Sequence, residues 1–105
     1  MANLIQQAKE LIEMRKKAKK MQQELAAMVV EYENGGIKVE FHCDMAMKSI
    51  SIKPDIIDIT RVDRLERTIL DNCNKAIKLA QGKAAEFMKK DMLKNVDFGK
   101  MLDGE

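Results

Sequence analysis

The strongest constraint in this sequence is an apolar stripe through residues 4–28: Leu4, Leu11, Met14, Ala18, Met21, Leu25 and Met28. Its steps fill every a and d position of a heptad pattern except Gln7, as in a helix that lays one seam against a partner. No glycine or proline interrupts the stretch, and its Gln, Lys, Glu, Ala and Met residues are good helix formers. At about 1.5 Å per residue the helix would run roughly 37 Å, longer than a domain of this size is wide. The rest of a 105-residue chain is too small to cover such a stripe. The stripe therefore asks for a partner.

After Met28 the period changes from helix to strand. Val30 and Tyr32 alternate with Glu31 and Glu33, and Asn34-Gly35-Gly36 supplies residues that tolerate positive φ. Ile37, Val39, Phe41 and Cys43 then alternate with Lys38, Glu40, His42 and Asp44, which predicts a β-hairpin. A looser turn over residues 44–47 leads to a third run, with Ile50 and Ile52 facing one way and Ser49, Ser51 and Lys53 the other. Pro54 ends it, because proline lacks the N–H that a central strand needs.

One apolar face on three strands needs a covering helix, and the sequence supplies it. Thr60 followed by Asp63 resembles a capping box with Asp in place of Glu. Val62, Leu65, Ile69, Cys73, Ala76, Ala80, Ala84 and Phe87 follow at an eleven-residue period. The small residues from Cys73 onward allow close packing, and Gly82 is expected to mark a bend or a close contact. Leu70, Ile77 and Met88 form a second apolar edge, more than one sheet face requires. The expected architecture is α+β in the order α-β-β-β-α: a long N-terminal helix, a three-stranded antiparallel meander and a long C-terminal helix. Residues 1–90 form one domain in this reading, and residues 91–105 form an acidic, partly flexible tail. Leu11, Met14, Met21, Leu25, Leu65, Ile69, Ala76 and Ala80 are the expected core and dimer-packing set. A homodimer is the simple way to cover two surplus apolar surfaces.

Net charge is only +2, but its distribution is uneven. Residues 1–28 carry +3 and residues 60–90 carry +4, against −3 between them and −2 in the last fifteen. Positive charge sits on the two helical segments, which suits an anionic partner. No apolar run is long enough to span a bilayer and no secretory leader is visible, so a cytoplasmic location with no membrane partner is expected. Cys43 and Cys73 read as small core residues in a reducing compartment.

Several features in order resemble the YbaB/EbfC family of bacterial nucleoid-associated proteins. They are the Met- and Gln-rich opening helix (Gln6-Gln7-Ala8-Lys9 through Lys20-Met21-Gln22-Gln23-Glu24-Leu25) and the glycine turn feeding Ile37-Lys38-Val39. Ile50-Ser51-Ile52-Lys53-Pro54-Asp55-Ile56-Ile57 and Cys73-Asn74-Lys75-Ala76 complete the set, which spans roughly residues 4–90. Lys53 stands where the family has an acidic residue, Cys73 where an aliphatic one is common, and the glycine- and proline-rich ends of many members are missing. The resemblance implies a tweezer-like homodimer with helices projecting from a shared sheet core. It also implies binding of double-stranded DNA with loose sequence preference, in nucleoid organisation or transcriptional modulation.

Two sets of cations are candidate phosphate contacts. On the first helix they are Lys9, Arg15, Lys16, Lys19 and Lys20; on the second they are Arg61, Arg64, Lys75 and Lys78. From the residues alone, either set also reads as ordinary solvated helix surface, and the resemblance shifts the weight toward DNA. A coiled-coil adaptor or holdase-like module without DNA binding is the rival reading of the same stripe. His42-Cys43-Asp44 lacks further ligands for a metal site, and Asn34-Gly35-Gly36 lacks the lysine of a phosphate loop. With one His and no nucleophile–base pairing, the sequence offers no basis for an enzyme, a cofactor or a small-molecule substrate. Three Phe, one Tyr and no Trp argue against a stacking platform for single strands.

Overall fold

Asn34-Gly35-Gly36 does what its composition demands. Gly35 and Gly36 both take positive φ, 65° and 82°, closing a two-residue hairpin of the kind that matches strand twist. Side chains are also barred there by space. A Cβ on Gly36 would lie 2.6 Å from Cγ2 of Ile56, and one on Gly35 would lie 3.0 Å from Cγ2 of Thr68.

The structure, a computed structural model, describes residues 2–95. Helix α1 (Ala2–Ala27) leads into strands β1 (Val29–Asn34), β2 (Ile37–His42) and β3 (Met47–Ile52), then a short 3-10 turn over Pro54–Ile56 and helix α2 (Val62–Asn95). The strands form an antiparallel meander in the order β1-β2-β3, with Tyr32 opposite Val39 and Val39 opposite Ile50. This is the expected α-β-β-β-α order. Helix α2 continues past residue 90 to Asn95, and residues 96–105 of the expected acidic tail lie outside the described residues.

Strand β2 carries the core. Ile37, Val39 and Phe41 are buried against Ala76 and Ala80 of α2, with Val30, Tyr32, Ile52, Leu65, Ile69, Cys73 and Ile77 packed around them. The alanines keep the helix axis close to the central strand, because larger side chains at 76 and 80 would hold it off. Helix α2 is skewed across the sheet. The Lys75 ammonium lies 5.5 Å over the Tyr32 ring, and Lys83 Nζ donates to the Val29 carbonyl at 3.4 Å, so one flank of α2 overlies β1. The opposite flank, with Leu70, Ile77 and Met88, lies on the β3 side.

Two local expectations need correction. Thr60 is no helix cap: its N–H and its hydroxyl both donate to Asp58 Oδ1, at 2.9 and 2.6 Å. This local turn holds the backbone outside the helix, which begins two residues later at Val62. Gly82 has open space where a Cβ would stand, so it marks no close contact within the protomer. One non-glycine residue, Met45, takes positive φ (73°) in the β2–β3 turn, where its N–H donates to the His42 carbonyl.

Asn72 joins helix to hairpin, and the sequence pattern did not single it out. It is fully buried on α2, and its Nδ2 donates to the carbonyls of Asn34 and Ile37 at 2.9 Å each. Those carbonyls flank the glycine turn, so one amide ties the turn to the helix. Asn72→Ala should lower unfolding free energy in a urea titration by about 1–3 kcal/mol, since it removes both hydrogen bonds between helix and hairpin turn. A change within about 0.5 kcal/mol, the usual size for surface substitutions, would show that the bonds are not structural.

Candidate nucleic-acid interface

Helix α1 touches its own domain only at its C-terminal end. Met21, Glu24, Leu25, Ala26 and Met28 are half-buried, and every residue from Asn3 to Lys20 is exposed. The end is fastened by the Cys43 N–H, which donates to the Met28 carbonyl at 2.8 Å. Leu4 and Met14 are 70% and 67% exposed, so the outer part of the seam is largely uncovered by the described residues.

The α1 cations stand away from the packed end of the seam. Lys16 precedes Leu25 by nine residues and Lys19 precedes Met28 by nine, and nine residues of helix are two and a half turns. Lys16 and Lys20 share a row with Lys9, and Arg15 and Lys19 form a second row beside it. All five are exposed, and none makes an ion pair among the described residues. Lys19 lines a cleft with Gln22, Gln23, Ala26 and Asp44. Lys20 lines another with Lys17, Met21, Glu24 and Asp91.

The α2 cations divide. Arg61 lies just before the helix, where it and Arg64 line a cleft of about 380 Å³ with Asp55, Asp58 and Thr68. Lys75 is exposed but drawn over Tyr32. Arg64 and Lys75 are eleven residues apart, as are Arg67, Lys78 and Lys89, so these five share the outer side of a helix whose inner side is Ala76 and Ala80. Arg67 and Lys89 were missing from the sequence-derived set. The eleven-residue period of the buried side was the signal that could have found them. Asp71 and Glu86 are the acidic residues within this ridge, Glu86 standing eleven residues after Lys75, whereas Glu66 shares the row of Ile77. The α1 and α2 cations line no common cleft among those described.

The sheet's outer face contrasts with both helices. There Lys38 pairs with Glu31 at 3.1 Å, and Lys48 and Lys53 pair with Glu40 and Glu33, each at 3.9 Å. The hydrogen bond and charge of Glu31 hold the Lys38 ammonium above its ordinary pKa. Cations on the sheet are thus engaged by carboxylates, whereas those on α1 are open to an external anion. No group of three or more His, Cys, Asp or Glu could hold a metal among the described residues. No described helix is long and apolar enough to cross a membrane.

Comparison with known proteins identifies the family. The sequence model of the YbaB/EbfC DNA-binding family matches residues 1–95. A nucleoid-associated protein of Thermoanaerobacter pseudethanolicus is 36% identical over 90 residues, 84% of this chain and 78% of the relative. One from Chloroflexus aggregans is 37% identical over 78 residues, 72% and 78% of the two chains. One from Clostridium novyi is 34% identical over 84 residues, 71% and 74%.

The approach to α2 has its own pH dependence. The Thr60 hydroxyl, and then its N–H, hold the Asp58 carboxylate below its ordinary pKa of 3.8. Because the folded value is lowered, the lock is complete above 3.8 and is lost as pH falls through the lowered value. The Thr60 amide resonance should titrate with a midpoint below 3.8, and Asp58→Ala should abolish that titration. A midpoint at or above the ordinary value would contradict the hydrogen-bonding assignment.

Proposed function

The chain belongs to the YbaB/EbfC DNA-binding family, and we propose that, as a nucleoid-associated protein, it binds duplex DNA through backbone phosphates with little sequence preference. The observation that carries this reading is the run of exposed α1 cations without ion-pair partners among the described residues, on a helix exposed from Asn3 to Lys20. Lys and Arg in such positions neutralise phosphates and release condensed counterions, which requires no fixed base-reading geometry. Lys9, Arg15, Lys16, Lys19 and Lys20 are the primary set. Arg64, Lys75 and Lys78 are secondary, joined by Arg67 and Lys89. Arg61, beside Asp55 and Asp58, is the weakest member.

The working unit is a homodimer in this reading. Met47 and Ile50 lie on the core face of β3, opposite Phe41 and Val39, yet Ile50 is 44% exposed. On α2, Leu70 and Met88 are exposed as well. Together these residues make an apolar corner that the protomer leaves uncovered, and a second copy fits it by presenting the same corner in return. Two copies also double the basic helices available to one duplex. Contributions to nucleoid organisation or transcription follow from such binding.

A protein-interaction module remains the competing reading, favoured by the exposed Leu4, Ile5, Leu11 and Ile12 on α1. Salt dependence separates the two, because a phosphate binder loses affinity steeply between roughly 50 and 200 mM salt. Lys16→Glu/Lys19→Glu/Lys20→Glu should weaken duplex binding in a gel shift by at least about tenfold. It should also reduce the log–log salt slope by about three. Unchanged binding by a correctly folded variant would remove α1 from the interface. For the dimer, Ile50→Asp should halve the mass measured by light scattering while leaving the circular dichroism spectrum intact. A wild-type mass in that variant would rule out the β3 corner.

A further inference from the structure

The cleft between α1 and the end of α2 has chemistry that the phosphate-binding reading does not use. It encloses about 170 Å³ and is lined by Lys17, Lys20, Met21 and Glu24 from α1 and by Asp91 from α2. An acidic residue of the second helix therefore already stands beside the basic run of the first. Helix α2 runs on to Asn95, one turn beyond Asp91.

We propose that residues 96–105 dock on the basic face of α1 next to this cleft and compete there with nucleic-acid phosphate. The proposal rests on the reading of α1 as a phosphate-binding helix and names its intramolecular rival.

Charge complementarity carries the assignment. The ten residues hold Asp97, Asp103 and Glu105 against Lys100, and they space Phe98, Met101 and Leu102 by three and one. Helix α1 presents the counterpart: Met14, Lys17 and Met21 share one face, with Lys16 and Lys20 beside it. Glu24 lines the cleft as well, so the cations open to an acidic segment are Lys17 and Lys20, with Lys16 beside them on α1. Reach is sufficient. Ten extended residues span at most about 33–36 Å, and the helix from Lys20 back to Lys9 rises only about 17 Å. Tethering gives the segment an effective concentration near the millimolar range, enough for a weak electrostatic contact to compete. The contact is screened by salt as DNA binding is, so its effect is largest in dilute salt.

The test uses the full chain and its Asp97→Asn/Asp103→Asn/Glu105→Gln variant. Duplex affinity should rise by roughly threefold to tenfold at 50 mM salt, and the advantage should shrink at 200 mM. Affinities within twofold at both salt concentrations would overturn the proposal, and so would an advantage that does not shrink. A second measurement needs no DNA: the rate at which an N-hydroxysuccinimide acetate acylates each lysine, read by mass spectrometry. Lys17 and Lys20 should react roughly threefold faster in the variant, with Lys78 on the outer side of α2 unchanged. Equal rates at Lys17 and Lys20 would overturn the docking. If those rates rise but neither protein binds duplex, the docking stands and the phosphate-binding reading fails.

Discussion

The alanine face of α2 lying on β2 is the contact from which the rest of this structure follows. Ile37, Val39 and Phe41 project from the central strand into a helix that offers Ala76 and Ala80 in return. Bulk on the strand and its absence on the helix let the two backbones approach closely at native packing density. The glycine turn allows β1 to fold back beside β2, and Asn72 pins that turn from above. Because α2 is held toward β1 by Lys75 on Tyr32 and Lys83 on Val29, it leaves β3 only partly covered. The open apolar corner at Ile50 is a direct consequence of that skew.

The same contact determines what α1 is free to do. With β2 already covered by α2, the end of α1 is the part that is half-buried among the described residues, at Met21, Leu25 and Met28. An isolated helix of this length gains little from propensity alone and depends on tertiary contacts for most of its stability. Its exposed Leu4, Leu11 and Met14 leave most of that seam without tertiary support among the described residues. A helix held at one end and clear along most of its length suits contact with an extended polyanion.

Charge is sorted by element in this fold. Carboxylates and lysines interleave on the outer sheet face and largely satisfy one another, so that face presents little net field. Among the described residues, cations on α1 and along the outer side of α2 stand without such partners, apart from Lys90 paired to Glu86. Membership of a DNA-binding family and this sorting lead to the same partner by independent routes.

Much of this was legible in the residues themselves. Period-two and near-3.6 alternation, together with Gly35-Gly36, set the element order, because side-chain direction along strand and helix follows spacing alone. The candidate cations on α1 were readable for the same reason, since their rows depend only on helical geometry. Tertiary structure decided the remainder. Thr60 was drawn into a local bond with Asp58, a choice between acceptors that no spacing rule resolves. Asn72 looked like any polar residue on a helix until the hairpin carbonyls came within 2.9 Å of it. Spacing could not say which stretch of the α1 seam would be buried and which left open, because burial depends on which surface another element reaches first. The sequence determined what each face consists of, and the packing of α2 on β2 decided which faces remain for a partner.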